Sequence, residues 1–242
     1  MAKKKKKEVK TGVGKDDSVE DISKILIKEI NSEVGGKVMF TLDKDSAPSD
    51  LDEFIPTGSK LLDYAISNRR DGGIPAGRIT EISGDSQSGK SLLAYSILKE
   101  AQKRGYIALL LDAENSVSKE YLKFLGLNLD TMILGSVQYI EQMFTILESV
   151  IKKNHLAKNG KRIVAVVDSI AALPPLAELE GSHEDQTIGL AARKLGQGLR
   201  KITQMVGSEK VTLILLNQLR IDIGCLEPET TYVEARKLSN VC

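Results

Sequence analysis

The sequence has no tryptophan, only four phenylalanines and only two cysteines, Cys225 and Cys242, both close to the C-terminal end. A body without cysteine excludes a disulfide framework and suits a cytoplasmic protein. No apolar run is long enough to span a bilayer and no secretory apolar core opens the chain, so no membrane partner is expected. An excess of one charge is missing too. The 34 Lys and Arg against 33 Asp and Glu leave +1, so affinity for nucleic acid has to come from local patches. What is present is 242 residues at 41% hydrophobic composition, enough to bury one sizeable core.

Residues 1–17 carry a lysine run followed by glycine and polar residues, and predict a disordered basic tail. It is either a solvated tail or an arm that adds phosphate contacts. Asp17 or Ser18 can cap a helix over Val19–Val34, with Ile22, Leu26, Ile27 and Ile30 on one face. Lys37–Leu42 then reads as a short strand and 43–53 as a polar linker. This helix–strand unit, 18–55, can pad the core or dock on a neighbouring subunit, because an isolated strand needs a sheet to join.

From residue 56 the pattern alternates strand and helix. Strands are expected at Arg78–Ser83, Ile107–Asp112, Met132–Gly135, Ile163–Asp168 and Val211–Asn217. Helices are expected at Ser91–Arg104, Ser118–Gly126, Ile140–Asn154 and Thr187–Val206. Continuous apolar strands such as IALLLD, IVAVVD and VTLILLN predict an α/β fold: a mostly parallel sheet with helices on both faces.

Gly84–Ser91 read GDSQSGKS and fit the phosphate-loop pattern G-x-x-x-x-G-K-[ST], between an apolar run and a helical pattern. Gly84, Asp85, Ser86, Gln87, Ser88 and Gly89 would wrap phosphates with backbone N–H groups at a helix N-terminus. Lys90 would reach the β/γ-phosphates and Ser91 would hold Mg²⁺. Three strands end in polar residues at the same sheet edge, where ligands of open α/β sheets bind. Asp168 has the position of a Walker B carboxylate on Mg²⁺. Glu114, just past a strand, is placed to polarise the water that attacks a γ-phosphate. Asn217-Gln218 can sense whether that phosphate is present. A nucleoside triphosphate is the expected ligand.

These features, with Thr57-Gly58-Ser59, Gly73–Ile79, Asp112-Ala113-Glu114, Val166–Ser169, Ala177–Gly181, Gly189–Arg193 and Asn217–Arg220, resemble the RecA recombinases of bacteria and their phages. The resemblance runs from about Gly35 to Gly224. It implies a P-loop NTPase of RecA type that hydrolyses ATP with Mg²⁺ in a DNA-dependent way. It also implies self-assembly into a filament on single-stranded DNA that pairs with homologous duplex. The alternative is a truncated RecA-fold ATPase, helicase-like or regulatory, without strand exchange. Carried over by position, Glu114 is the catalytic glutamate, Tyr121 the aromatic that stacks on adenine, and Gln218 the glutamine that couples the γ-phosphate to DNA. Glu180–Ile188, with Glu180, Gly181 and Ile188, matches the first DNA-binding loop, and Arg193 and Arg200 match arginines that approach the DNA backbone. Arg193, Lys194, Arg200 and Lys201 supply charge on the helix that follows, each pair seven residues apart and so on one face. Ser118 stands where the family usually has Asp.

After Gly224 the pattern changes, and the core (56–224) looks incomplete because its C-terminal strands are missing. Two readings of 225–242 stand. Pro228–Thr231 is a shortened second DNA-binding loop of a truncated protein, or Cys225 opens the short N-terminal fragment of a split intein. In the second reading, favoured on the sequence alone, the Cys225 thiol attacks the carbonyl of Gly224 to form a thioester as the Gly224–Cys225 amide bond breaks and frees the Cys225 amine. A complementary polypeptide then completes protein splicing.

Overall fold

The apolar runs IALLLD, IVAVVD and VTLILLN form the centre of one sheet, because residues apolar in both directions need cover on both faces. The computed structural model describes residues 19–36, 38–41, 51, 53–157, 161–181, 189–209 and 211–219. It divides into two compact units, Met1–Asp50 and Leu51–Cys242. In chain order the strands are β1 (Phe54–Ile55), β2 (Ile74–Pro75), β3 (Ile79–Gly84), β4 (Ile107–Asp112), β5 (Met132–Ser136), β6 (Ile163–Asp168) and β7 (Val211–Gln218). The helices are α1 (Val19–Val34), α2 (Lys60–Ser67), α3 (Lys90–Lys103), α4 (Lys119–Phe124), α5 (Ile140–Ala157), α6 (Leu176–Glu180) and α7 (Leu190–Ser208).

Strands β3-β7-β6-β4-β5 form a five-stranded sheet in that order, every pair parallel. Alternation sends successive side chains to opposite faces. Leu109, Leu111, Ala165, Val167, Leu213 and Leu215 pack with α5 and α7. Ala108, Leu110, Val164, Val166, Ile214 and Leu216 pack with Ala94, Ile97 and Leu98 of α3. The register aligns Asp112 with Asp168, Ser83 with Asn217 and Gly84 with Gln218. All the polar strand ends therefore share one edge, which is what positions the site.

Helices α5 and α7 lie close together because Gly198 has no side chain. A Cβ there would stand 2.2 Å from Cε2 of Phe144. Gly198→Ala is expected to destabilise the fold by about 1–2 kcal/mol, overpacking outweighing the better helix propensity of alanine. Urea melts should show a lower midpoint at unchanged slope, and Phe144→Leu in the same chain should restore part of the loss.

Short elements escaped the sequence reading. β1 and β2 pair antiparallel over two residues each, too short to carry a period. Gly73, at φ +126°, closes this ribbon where a Cβ would lie 2.0 Å from the Ile55 carbonyl oxygen. The Thr57-Gly58-Ser59 stretch precedes α2, and buried Asp63 accepts from the N–H (2.6 Å) and hydroxyl (2.7 Å) of Thr57. In the N-terminal unit α1 has the expected bounds and buries none of its residues. The strand expected over 37–42 is not formed at 38–41. Asn31 Oδ1 takes the N–H groups of Val38 and Met39 (both 2.7 Å) and its Nδ2 donates to the Met39 carbonyl. The backbone groups a pairing strand would need are used locally. No described helix is long and apolar enough to cross a membrane.

Candidate nucleotide-binding site

The loop Gly84–Ser91 leaves β3 and enters α3, as its spacing requires. Gln87 (φ 61°) and Gly89 (φ 87°) take left-handed backbone, and Gly89 caps α3. The first helical bond runs from Leu93 N–H to the Gly89 carbonyl at 3.0 Å. The N–H groups of Lys90, Ser91 and Leu92 thus have no helical acceptor and are free for an anion. The Lys90 ammonium folds over the loop and donates to the carbonyls of Gly84 (2.9 Å) and Asp85 (2.6 Å). It holds a positive charge at the mouth of the helix, where a phosphate chain would be received.

The carboxylates differ in their work. Asp112 Oδ1 accepts from the N–H groups of Glu114 (3.1 Å) and Ser116 (3.3 Å), and Oδ2 from Val117 (3.0 Å). It builds the turn that presents Glu114. Exposed Glu114 receives two donors on one oxygen: Ser169 Oγ at 2.9 Å and Gln218 Nε2 at 3.0 Å reach Oε1. Asp168 accepts from Tyr95 Oη at 3.0 Å on Oδ2, and the Ser91 hydroxyl stands near it. Burial pushes the Asp168 carboxyl up, Ser91 and Tyr95 pull it down, and the charges of Glu114 and Asp112 push it up again. Ser91 and Asp168 are a hydroxyl–carboxylate pair of hard oxygen donors. That set fits Mg²⁺ that takes its other ligands from phosphates and water. Among the described residues no group of three His, Cys, Asp or Glu could hold a metal without such help.

Tyr121, 42% exposed, lies on α4 and meets Tyr95 edge-on with ring centroids 6.5 Å apart. Ser118 caps that helix, accepting from Tyr121 N–H at 3.3 Å and donating to Glu120 at 2.9 Å. Gln218 reaches Glu114, but its neighbour Asn217 does not face the site. Asn217 is 2% exposed and donates to Glu81 Oε1 at 2.9 Å, so its expected role as a phosphate sensor gives way to one of joining β7 to β3. Burial pushes the Glu81 carboxyl up, with the Asn217 bond opposing. A carboxyl raised in the folded state contributes stability at low pH that is lost as pH climbs through its folded value. Glu81→Gln keeps the acceptor for Asn217 and removes that loss. Its Tm is expected to exceed that of the wild type at pH 8, with the gap closing as pH is lowered toward the ordinary glutamate value of 4.5.

Of the residues expected to contact DNA, Glu180 ends α6 and is exposed, Gly181 caps it, and Ile188 lies outside the described residues, as does Cys225. The basic helix face divides in two. Lys194 pairs with Glu141 (3.3 Å) and Lys201 with Glu148 (2.7 Å), tying α7 to α5. Lys201 holds the Glu148 carboxyl below its ordinary value. Arg193 and Arg200 remain exposed, with no ion pair to another described residue. Sequence reasoning missed Tyr95 and gave no role to Ser169, which it placed only within the Val166–Ser169 motif. Tyr95 follows Ser91 by four residues on one helix, a spacing that marks a shared face.

A glycine-rich loop feeding a helix at the carboxyl edge of a parallel sheet, beside strand-end carboxylates, defines a P-loop NTPase fold of RecA type. Residues 21–238 match the RecA N-terminal domain. The chain is similar to Protein RecA of Nautilia profundicola, 40% identical over 211 residues, covering 86% of this chain and 57% of that protein. It is 42% identical to Protein RecA of Treponema pallidum over 205 residues (84% and 48%), and 38% identical to that of Treponema denticola over 230 residues (94% and 53%). The chain therefore belongs to the RecA family. It spans about half the length of the curated relatives it matches.

Proposed function

We propose that this chain is an ATP-hydrolysing subunit of a DNA recombinase that self-assembles on single-stranded DNA and pairs it with homologous duplex. The observation that carries the reading is the junction at Glu114, where one carboxylate oxygen is shared by Ser169 and Gln218 beside the phosphate loop. In this reading the loop amides and Lys90 hold the triphosphate, and Tyr121 stacks on the base. Ser91 and Asp168 hold Mg²⁺, which when bound offsets charge on the phosphates. Glu114 accepts the proton of the water whose oxygen attacks the γ-phosphorus, while the bond to the β–γ bridging oxygen breaks and ADP leaves. Gln218, at the end of β7, bonds Glu114 directly. In this reading that bond is how Gln218 couples the γ-phosphate to DNA. Exposed Arg193 and Arg200, with the 180–188 loop, supply the DNA contacts.

The test is ATP turnover with and without single-stranded DNA, with the assemblies imaged. Turnover stimulated by DNA, in filaments whose length follows the DNA, is expected. DNA-independent turnover in closed rings would favour a helicase-like or regulatory ATPase instead.

For residues 225–242, the family match has its end at 238, past Cys225. This supports the second-loop reading of Pro228–Thr231, whereas the split-intein reading rests on Cys225 and the residues just after it. Peptide mapping of the cellular protein separates them. A peptide that carries Gly224 joined to a residue other than Cys225 would establish splicing, and Gly224–Cys225 intact in all of the protein would exclude it.

A further inference from the structure

Tyr95 is the one aromatic residue that reaches into the carboxylate cluster from the helix that follows the phosphate loop. It is 4% exposed and sits on the same face of α3 as Ser91. Its ring lies within the apolar layer formed by Ile97, Leu98, Leu110 and Val166. Only its hydroxyl reaches a polar partner, Asp168 Oδ2 at 3.0 Å. The hydroxyl is the donor of that bond, since the carboxylate only accepts. A buried tyrosine normally spends its hydroxyl on satisfying itself. Here the acceptor is the carboxylate proposed to hold a cation, and a donor fixed on one oxygen settles which way that carboxylate turns. The ring is itself held from the other side by the edge-on contact with Tyr121.

We propose that Tyr95 is a positioning residue for the cation site. Its hydroxyl holds the Asp168 carboxylate in the orientation that meets the Ser91 hydroxyl and a phosphate-bound Mg²⁺, and its ring ties that carboxylate to the aromatic residue under the base. The inference rests on the nucleotide-and-Mg²⁺ reading above and adds a residue to it. Outer partners of metal-binding side chains typically account for about 10–100-fold in metal affinity. Tyr95→Phe removes the hydroxyl and keeps the ring, so the packing of α3 and the contact with Tyr121 persist.

The experiment measures binding of a fluorescent ATP analogue carrying a methylanthraniloyl group to the full chain, first in EDTA and then with Mg²⁺ titrated in. Wild type, Tyr95→Phe, Asp168→Asn and the double variant are compared, and melting without nucleotide serves as the control for folding. Tyr95→Phe is expected to match wild type in EDTA and to need about 10-fold more Mg²⁺ for half-saturation. On the Asp168→Asn background the same change is expected to add nothing, because the two groups act through one another. An unchanged Mg²⁺ requirement in Tyr95→Phe would overturn the proposal, as would an equal effect of the change on both backgrounds. A wild-type chain that takes up no analogue under any condition would instead overturn the nucleotide reading on which it rests.

Discussion

Glu114→Gln is expected to bind ATP as tightly as the wild type while turning it over about 10²–10⁴-fold more slowly, the usual loss on removing a positioned general base. The substitution is clean for a structural reason. Glu114 is held through Oε1, which accepts from Ser169 and Gln218. A glutamine offers a carbonyl oxygen in the same place, so both bonds can persist. The Asp112 turn that presents residue 114 uses the backbone N–H of that residue and is untouched. What disappears is the capacity to take a proton. The prediction is therefore a split: equilibrium binding of a fluorescent ATP analogue unchanged, single-turnover hydrolysis lost. Normal hydrolysis by this variant would remove Glu114 from the role of base. Weakened binding with hydrolysis intact would make its carboxylate a ligand-holding group instead.

The sheet was legible because its signals are long and local. Ile107–Asp112 and Ile163–Asp168 are strands with the very bounds their apolar runs set, since a run bounded by polar residues states both its length and its end. The phosphate loop was legible for a similar reason, its spacing being dictated by the geometry of a strand turning into a helix. Side-chain partnerships were less legible. Asn217 and Gln218 are adjacent in sequence, yet alternation on β7 sends one to Glu81 and the other to Glu114, and only the register with β3 decides which. Arg193 with Arg200 and Lys194 with Lys201 form two adjacent stripes one residue apart on the helix, and the sequence does not say which stripe meets α5. It is the packing of α5 against α7 that claims the lysines and leaves the arginines exposed. The short strand expected over 37–42 failed at 38–41 because a single residue, Asn31, competes for its backbone groups. A β-propensity pattern carries no trace of such a competitor.

Lys90→Ala is expected to abolish nucleotide binding, with an affinity loss of about 100-fold or more. Each charge-assisted hydrogen bond contributes about 1.5–3 kcal/mol, and about 1.4 kcal/mol corresponds to tenfold in affinity. Two such bonds to a phosphate chain therefore suffice for that loss. In the structure the ammonium already bridges the Gly84 and Asp85 carbonyls across the mouth of the loop. Its charge is held at the opening of the anion site and has little distance to travel to a phosphate. Alanine removes the charge but keeps the helix, since residue 90 opens α3 and alanine is the strongest helix former. The loss should thus appear in binding and not in folding. A thermal scan separates the two. A ligand at about 100 times its Kd stabilises the fold by about 2.7 kcal/mol, which registers as a clear rise in Tm. The wild type should show that rise with ATP, whereas Lys90→Ala should melt like the ligand-free wild type whether or not ATP is added. A variant that keeps the rise would show that the loop amides alone hold the phosphates and that Lys90 serves only to brace the loop.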